Sequence, residues 1–211
     1  MKTDQLVAAL VADRRQSAGP PGRSIVYAIA AGSVVSLVIF ALAFGPRVDL
    51  AAAFASWRFD LTLVLVFTAL LVALAGSAAL ARPLTPGPLL SRAWPLILLA
   101  VAAVTIELVL QPRDAWLTRL VGSNALVCLT AIPLFSLAPL AGLMVALRRA
   151  APASPTRAGA MAGALAAAVA ASIYAFHCFD DSPLFVLTWY SLATLPVVAL
   201  GALIGSRLLR W

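Results

Sequence analysis

Between Ser24 and Phe44 the chain carries no charged side chain, and runs almost as free of charge recur along its whole length. A backbone in hydrocarbon must satisfy its own N–H and C=O groups, and about 20 apolar residues in a helix cross roughly 30 Å of bilayer interior. Six such runs are readable, at 24–44, 60–81, 93–110, 122–147, 158–176 and 183–206. The expected fold is therefore all-α: a polytopic membrane bundle of six transmembrane helices in residues 24–211, preceded by a short N-terminal tail in residues 1–23. Composition agrees, with 63% hydrophobic and 11% charged residues, against about 25% charged in an ordinary soluble domain.

Lys and Arg are retained on the cytoplasmic side of a membrane. With six spans both termini share one side. That side holds Lys2, Arg14, Arg15, Arg23, Arg82, Arg92, Arg148, Arg149, Arg157, Arg207 and Arg210, and the other holds Arg47, Arg58, Arg113 and Arg119. Eleven against four predicts that both termini are cytoplasmic, with the spans between them in the lipid bilayer. The net charge of +7 is mostly this bias and an attraction to anionic lipid. Dispersed basic residues without aromatic interleaving exclude direct nucleic-acid binding. Asp13-Arg-Arg-Gln is followed by Ser17-Ala-Gly-Pro-Pro-Gly rather than an apolar stretch, so neither a twin-arginine nor a cleavable signal is expected.

In the tail, Leu6, Val7, Leu10 and Val11 share one face of a predicted helix that Thr3 or Asp4 can cap, and two glycines and two prolines end it before Arg23. An apolar face that small suits either the headgroup layer or a groove on a cytoplasmic partner. Inside the bundle, Gly159 and Gly163, continued by Ala167 and Ala171, form a small-residue stripe, and Gly201 and Gly205 form another; both are packing signals. Pro133, Pro139 and Pro196 each remove a backbone hydrogen bond and permit a kink. No inverted repeat links the two halves, which speaks against a transporter.

The reactive groups are scarce and gathered. Ala175-Phe-His-Cys-Phe-Asp-Asp-Ser-Pro-Leu-Phe holds the chain's one histidine, one of its two cysteines and two adjacent acids. Cys178 falls in the outer loop between spans five and six, and Cys128 lies about 9 Å inside span four counted from Gly122, at about 1.5 Å per residue. Both reach the outer level of the bundle, where a disulfide is chemically reasonable in an oxidising compartment; spacing leaves open whether they are bridged, reduced or, for Cys128, a small buried hydrophobe. His177, Asp180 and Asp181 beside the thiols are ligand types for a soft metal ion. Adjacent ligands strain to bind one ion and no spaced Cys-x-x-Cys or His-x3-His is present, so no dedicated metal site is assigned and the segment is read as a landing place for a thiol-seeking metal. Glu107, near the outer end of span three, is expected to reach the interface near Gln111 and Arg113. No catalytic Ser/His/Asp set and no glycine-rich phosphate loop occur, so no enzyme and no cofactor are expected.

Met1-Lys-Thr-Asp-Gln-Leu at the start, Thr156-Arg-Ala-Gly-Ala, and above all Tyr174-Ala-Phe-His-Cys-Phe-Asp-Asp-Ser-Pro-Leu-Phe through Trp189-Tyr resemble the NrsF-type anti-sigma factors of Gram-negative bacteria along essentially the whole chain. Phe179 stands where many relatives carry proline. The resemblance implies an inner-membrane protein that holds an extracytoplasmic-function sigma factor inactive and releases it under heavy-metal or oxidative stress. It assigns sensing to Cys128 and Cys178, and sigma binding to the tail around Asp4, Leu6, Val7, Leu10 and Val11, aided by Arg82, Arg92, Arg148 and Arg149. Readings from other classes are a small transporter or channel for a metal or thiol-reactive solute, and a membrane thiol oxidoreductase, although a quinone-linked thiol oxidase would be expected to carry a Cys-x-x-Cys or a second cysteine pair.

Overall fold

The computed structural model describes residues 3, 5, 21–80, 90–150 and 152–210. Thr3 and Gln5 are helical, whereas Asp4, Leu6, Val7, Leu10 and Val11, the residues expected to bind sigma, lie outside the described residues, as does Arg82. The described residues form helices and no strand. These are α1 (Pro21–Ala43), a single turn α2 (Leu50–Ala53), α3 (Trp57–Leu80), α4 (Leu90–Leu110), a short α5 (Ala115–Val121), α6 (Ala125–Arg148), α7 (Pro155–Tyr174) and α8 (Pro183–Leu208). Six helical stretches are long and apolar enough to cross a membrane, with bounds within a few residues of the charge-free runs except that the fourth begins at Ala115, where α5 precedes α6.

The order of burial follows side-chain size. The centre of the bundle is α7, which touches α1, α3, α6 and α8. Its sequence of alanines and glycines is poor at covering lipid but lets neighbours approach from every side. In contrast α1 and α4 are peripheral, and their outward surfaces carry Val26, Tyr27, Leu42, Leu98, Val101 and Val109, as a surface wetted by hydrocarbon requires.

The two small-residue stripes prove to be one contact. A Cβ on Gly159 would strike the Gly201 carbonyl oxygen and stand 2.8 Å from Gly205 Cα. One on Gly163 would stand 2.9 Å from Val198 Cα, and one on Gly205 would stand 2.7 Å from the Pro155 carbonyl oxygen. Along this seam α7 and α8 meet backbone to backbone, which only glycine permits.

A second close crossing joins α1 to α6 and accounts for one of the prolines. Pro139 has no N–H to give the Phe135 carbonyl one turn earlier. Ser36 of α1 donates to that carbonyl at 2.7 Å, and to its own helix at Gly32 O at 3.0 Å. A Cβ on Gly32 would lie 2.8 Å from Pro139 N, so the glycine brings the serine within reach. In lipid an orphaned carbonyl would cost several kcal/mol; here the gap left by proline becomes an interhelical hydrogen bond.

Gly201→Leu should therefore lower thermal stability in detergent by about 1–3 kcal/mol or more, the usual scale of overpacking. Leu203→Ala, on the lipid-facing side of the same helix, should leave the midpoint nearly unchanged. Equal midpoints for the two variants would refute the close crossing.

Candidate functional site

One end of the bundle gathers nearly all the polar chemistry. The chain leaves α1 through Gly45, whose φ of 69° lies in the left-handed region that glycine enters without strain. Gly45 presents its carbonyl to His177 Nδ1 at 2.9 Å. A carbonyl can only accept, so His177 carries its proton on Nδ1. Its ring stands among Phe44, Tyr174, Phe179 and Phe40, with centroids 4.9, 5.9, 6.2 and 6.4 Å away.

Arg47, two residues beyond Gly45, binds the thiol-bearing loop. It is only 8% exposed. Its backbone N–H donates to Phe176 O at 2.9 Å, and Nη1 donates to Cys178 O at 2.9 Å and to Asp181 Oδ2 at 2.8 Å. Nε and Nη2 grip Asp49 at 2.7 and 2.9 Å in a bidentate pair, the geometry for which a guanidinium fork is suited. Phe179 lies under the guanidinium at 4.8 Å and Phe59 at 5.6 Å. Phe179 thus adds a cation–π contact to the clamp. The Arg47 hydrogen bond holds the Asp49 carboxyl below the ordinary carboxylate range. Burial pushes the Asp181 carboxyl above it, and Arg47 offsets this only in part.

Asp180 does a different job. Helix α6 has no cap from its own Asn124, leaving N–H groups at its start unsatisfied. Asp180 Oδ2 supplies the acceptor from across the bundle, receiving Asn124 N at 2.7 Å, Ser123 N at 2.9 Å, Asn124 Nδ2 at 3.0 Å and Ser123 Oγ at 3.2 Å. A carboxylate at a helix N-terminus also meets the positive end of its dipole. The loop that carries Cys178 therefore caps the helix that carries Cys128.

Glu107 differs from the sequence expectation. It does not reach the interface near Gln111 and Arg113 but is fully buried. Arg58 Nε pairs with Oε2 at 3.1 Å, while Arg119 Nη1 at 3.4 Å and Ser182 Oγ at 3.3 Å share Oε1. The cause is α5, which folds residues 115–121 back as a helix and brings Arg119 over the carboxylate. Glu107 so ties the start of α3, the peripheral α4, the short α5 and the entry to α8 into one charge network. Trp189 Nε1 adds a tie from α8 to Leu120 O at 2.7 Å.

Within this frame lie the thiols. Cys128 is fully buried in the first turn of α6, Cys178 is 2% exposed just beyond the end of α7, and neither is bridged. The Cys128 thiol approaches the Tyr174 hydroxyl at 3.5 Å, and the Cys178 thiol approaches Asp180 O at 3.8 Å. Both belong to one buried cluster, and the neighbouring Cys128 first, then burial, raises the Cys178 thiol above its ordinary range. Protonated Cys178 is a poor nucleophile in this state. Among the described residues no set of three His, Cys, Asp or Glu side chains could hold a metal ion. His177, Asp180 and Asp181 are each engaged elsewhere, by Gly45, the α6 N-terminus and Arg47, so the donors available at this point are the two sulfurs.

Sequence reasoning singled out Cys128, Cys178 and the loop acids but not Arg47, Asp49 or Tyr174, which the structure places around them. Arg47 and Asp49 were readable only as loop charges. The Gly122-Ser-Asn stretch before an apolar run does signal a helix start, and points to the place where Asp180 docks.

Arg47→Ala should destabilise the protein by about 1–3 kcal/mol by leaving the half-buried Asp181 carboxylate without its partner. Adding Asp181→Ala to it should recover part of that loss, read as a coupling in a double-mutant cycle of thermal unfolding. Strict additivity would mean that the pair is not coupled.

Comparison with known proteins closes the assignment. Residues 10–211 match the family described as negative regulator of sigma F. The chain is 32% identical over 217 aligned positions to a protein named anti-sigma-F factor NrsF from Caulobacter vibrioides (strain NA1000 / CB15N), covering the whole of both. No solved structure matches. Matched along nearly its whole length, this six-helix apolar bundle belongs to the NrsF family of negative regulators of sigma F.

Proposed function

We propose that this protein is a binding regulator, not a catalyst. It sequesters a sigma factor of the extracytoplasmic-function class at the inner membrane and releases it when Cys128 and Cys178, facing the periplasm, meet a heavy metal or an oxidant. The single observation that carries the reading is that the two free thiols share one buried cluster beneath a polar frame. Orientation rests on the eleven-to-four distribution of basic residues, which assigns the thiol end to the periplasm and the tail around Asp4, Leu6, Val7, Leu10 and Val11 to the cytoplasm, where sigma is.

The chemistry changes what the thiol end must hold. A soft cation bridging both sulfurs displaces their protons, and an oxidant that bridges them accepts two electrons as the two protons leave. Either converts a loose contact between α6 and the end of α7 into a bond of fixed length. Rigid helices carry the displacement: α7 runs from the thiols to Pro155, and the glycine seam couples it to α8. A tenfold loss of sigma affinity needs only about 1.4 kcal/mol of difference between the two bundle states.

Replacing both cysteines by serine should leave sigma sequestered and abolish induction by cadmium, read with a reporter of sigma-dependent transcription; induction equal to the parent would sink the thiol reading. Deleting Met1 to Gln16 should release sigma without stress, at least tenfold by the same reporter. Continued repression would move the binding site to the inner loops around Arg82, Arg148 and Arg149.

A further inference from the structure

Both thiols are closed off on the polar side. The Arg47 clamp lies on Cys178 O, Phe179 stacks on Arg47, and Asp180 fastens the loop to α6. A polar hollow of about 840 Å³ at this end is lined by Arg58, Arg119, Asp180, Asp181 and Ser182 among others, and neither cysteine is among its lining residues.

The apolar side differs. A cavity of about 560 Å³ lies between α3, α4, α7 and α8, within the range of small-molecule sites. No charged residue lines it, and its polar contributions come from Tyr190, Ser191 and Thr194, of which Thr194 Oγ1 is taken by Tyr190 O at 2.8 Å. Four of its lining residues, Val66, Ala171, Val186 and Tyr190, belong to the same buried cluster as Cys128 and Cys178. Tyr190 lines the cavity, and its buried hydroxyl lies beside Cys178. It closes the π-helical turn Val186–Tyr190, a widened turn of the kind found where helices serve function and able to relax to α geometry.

We propose that this cavity is a ligand site open to the lipid phase, that it admits uncharged apolar thiol-reactive compounds, and that Tyr190 is the partition between them and the thiol pair. This deepens the thiol-sensor reading and rests on it for its biological consequence. The class follows from the walls. A hydrated cation would shed its water with no charge to receive it, whereas an apolar electrophile is concentrated by the surrounding bilayer and loses nothing on entry. For an activated alkene, one of the two sulfurs bonds to one alkene carbon, the π bond breaks, and the thiol proton ends on the other carbon; no oxidant is needed.

The test uses the full chain in liposomes with both thiols reduced. The probes are N-phenylmaleimide and its charged ring-sulfonated analogue, each rate is normalised to that on glutathione, and mass spectrometry locates the adduct. The expected result is at least a tenfold preference for the uncharged probe. Ala100→Phe, filling the cavity from the peripheral α4, should remove most of that preference and leave the charged probe's rate unchanged. Tyr190→Ala should accelerate the uncharged probe, and supplies a second readout if the filled variant folds poorly. Equal normalised rates, as when a lipid acyl chain occupies the cavity, would overturn the proposal, as would indifference to both substitutions. Labelling reads the route alone. A cysteine-free variant that still responds to cadmium would remove the sensor reading and leave the route standing, while failed labelling with an intact cadmium response would do the reverse.

Discussion

The backbone-to-backbone seam between α7 and α8 is the contact on which the rest of the bundle depends. Lipid chains are as apolar as leucine, so nothing like the hydrophobic effect in water presses spans together; close packing and interhelical hydrogen bonds must do it. Gly159 and Gly163 against Gly201 and Gly205 bring two backbones to van der Waals contact. Around that pair α3 and α6 pack on α7, and α6 in turn takes α1 through Ser36 and the carbonyl freed by Pro139.

A seam this tight has a consequence for signalling. Glycine against glycine leaves no flexible side chain to absorb a displacement, and packed interfaces respond by shifting between arrangements rather than by deforming. The thiol end is tied to the same helices by polar contacts. Asp180 caps α6, Arg47 holds the loop after α7, and Glu107 links α3, α4, α5 and the entry to α8. A change at the sulfurs therefore acts on long helices, α3, α4, α6, α7 and α8, that run to the opposite end. On the proposed orientation, that end faces the cytoplasm.

Much of this was legible in the sequence, because spans are written in local composition. Charge-free runs located six helices to within a few residues, and the glycine pairs announced close packing before their partner was known. The two cysteines were readable as sharing one level of the bundle. Relations between distant segments were not legible. Nothing local to Asp180 says that it caps a helix beginning at Ala125, and Glu107 looked interfacial because α5 was read as loop. The π turn at Val186–Tyr190 has no compositional mark at all. The expected sigma-binding face at Leu6 to Val11 belongs to residues outside the described structure, so the coupling of that face to the thiols rests on chemistry and orientation rather than on contacts.

The most direct test of that coupling is the affinity of the full-length protein, reconstituted in nanodiscs, for its sigma factor. It should be measured with both thiols reduced and again with one cadmium ion bound per chain. At least a tenfold weaker Kd in the loaded state, absent from the Cys128→Ser/Cys178→Ser variant, is predicted. An unchanged Kd with cadmium demonstrably held by Cys128 and Cys178 would contradict the account.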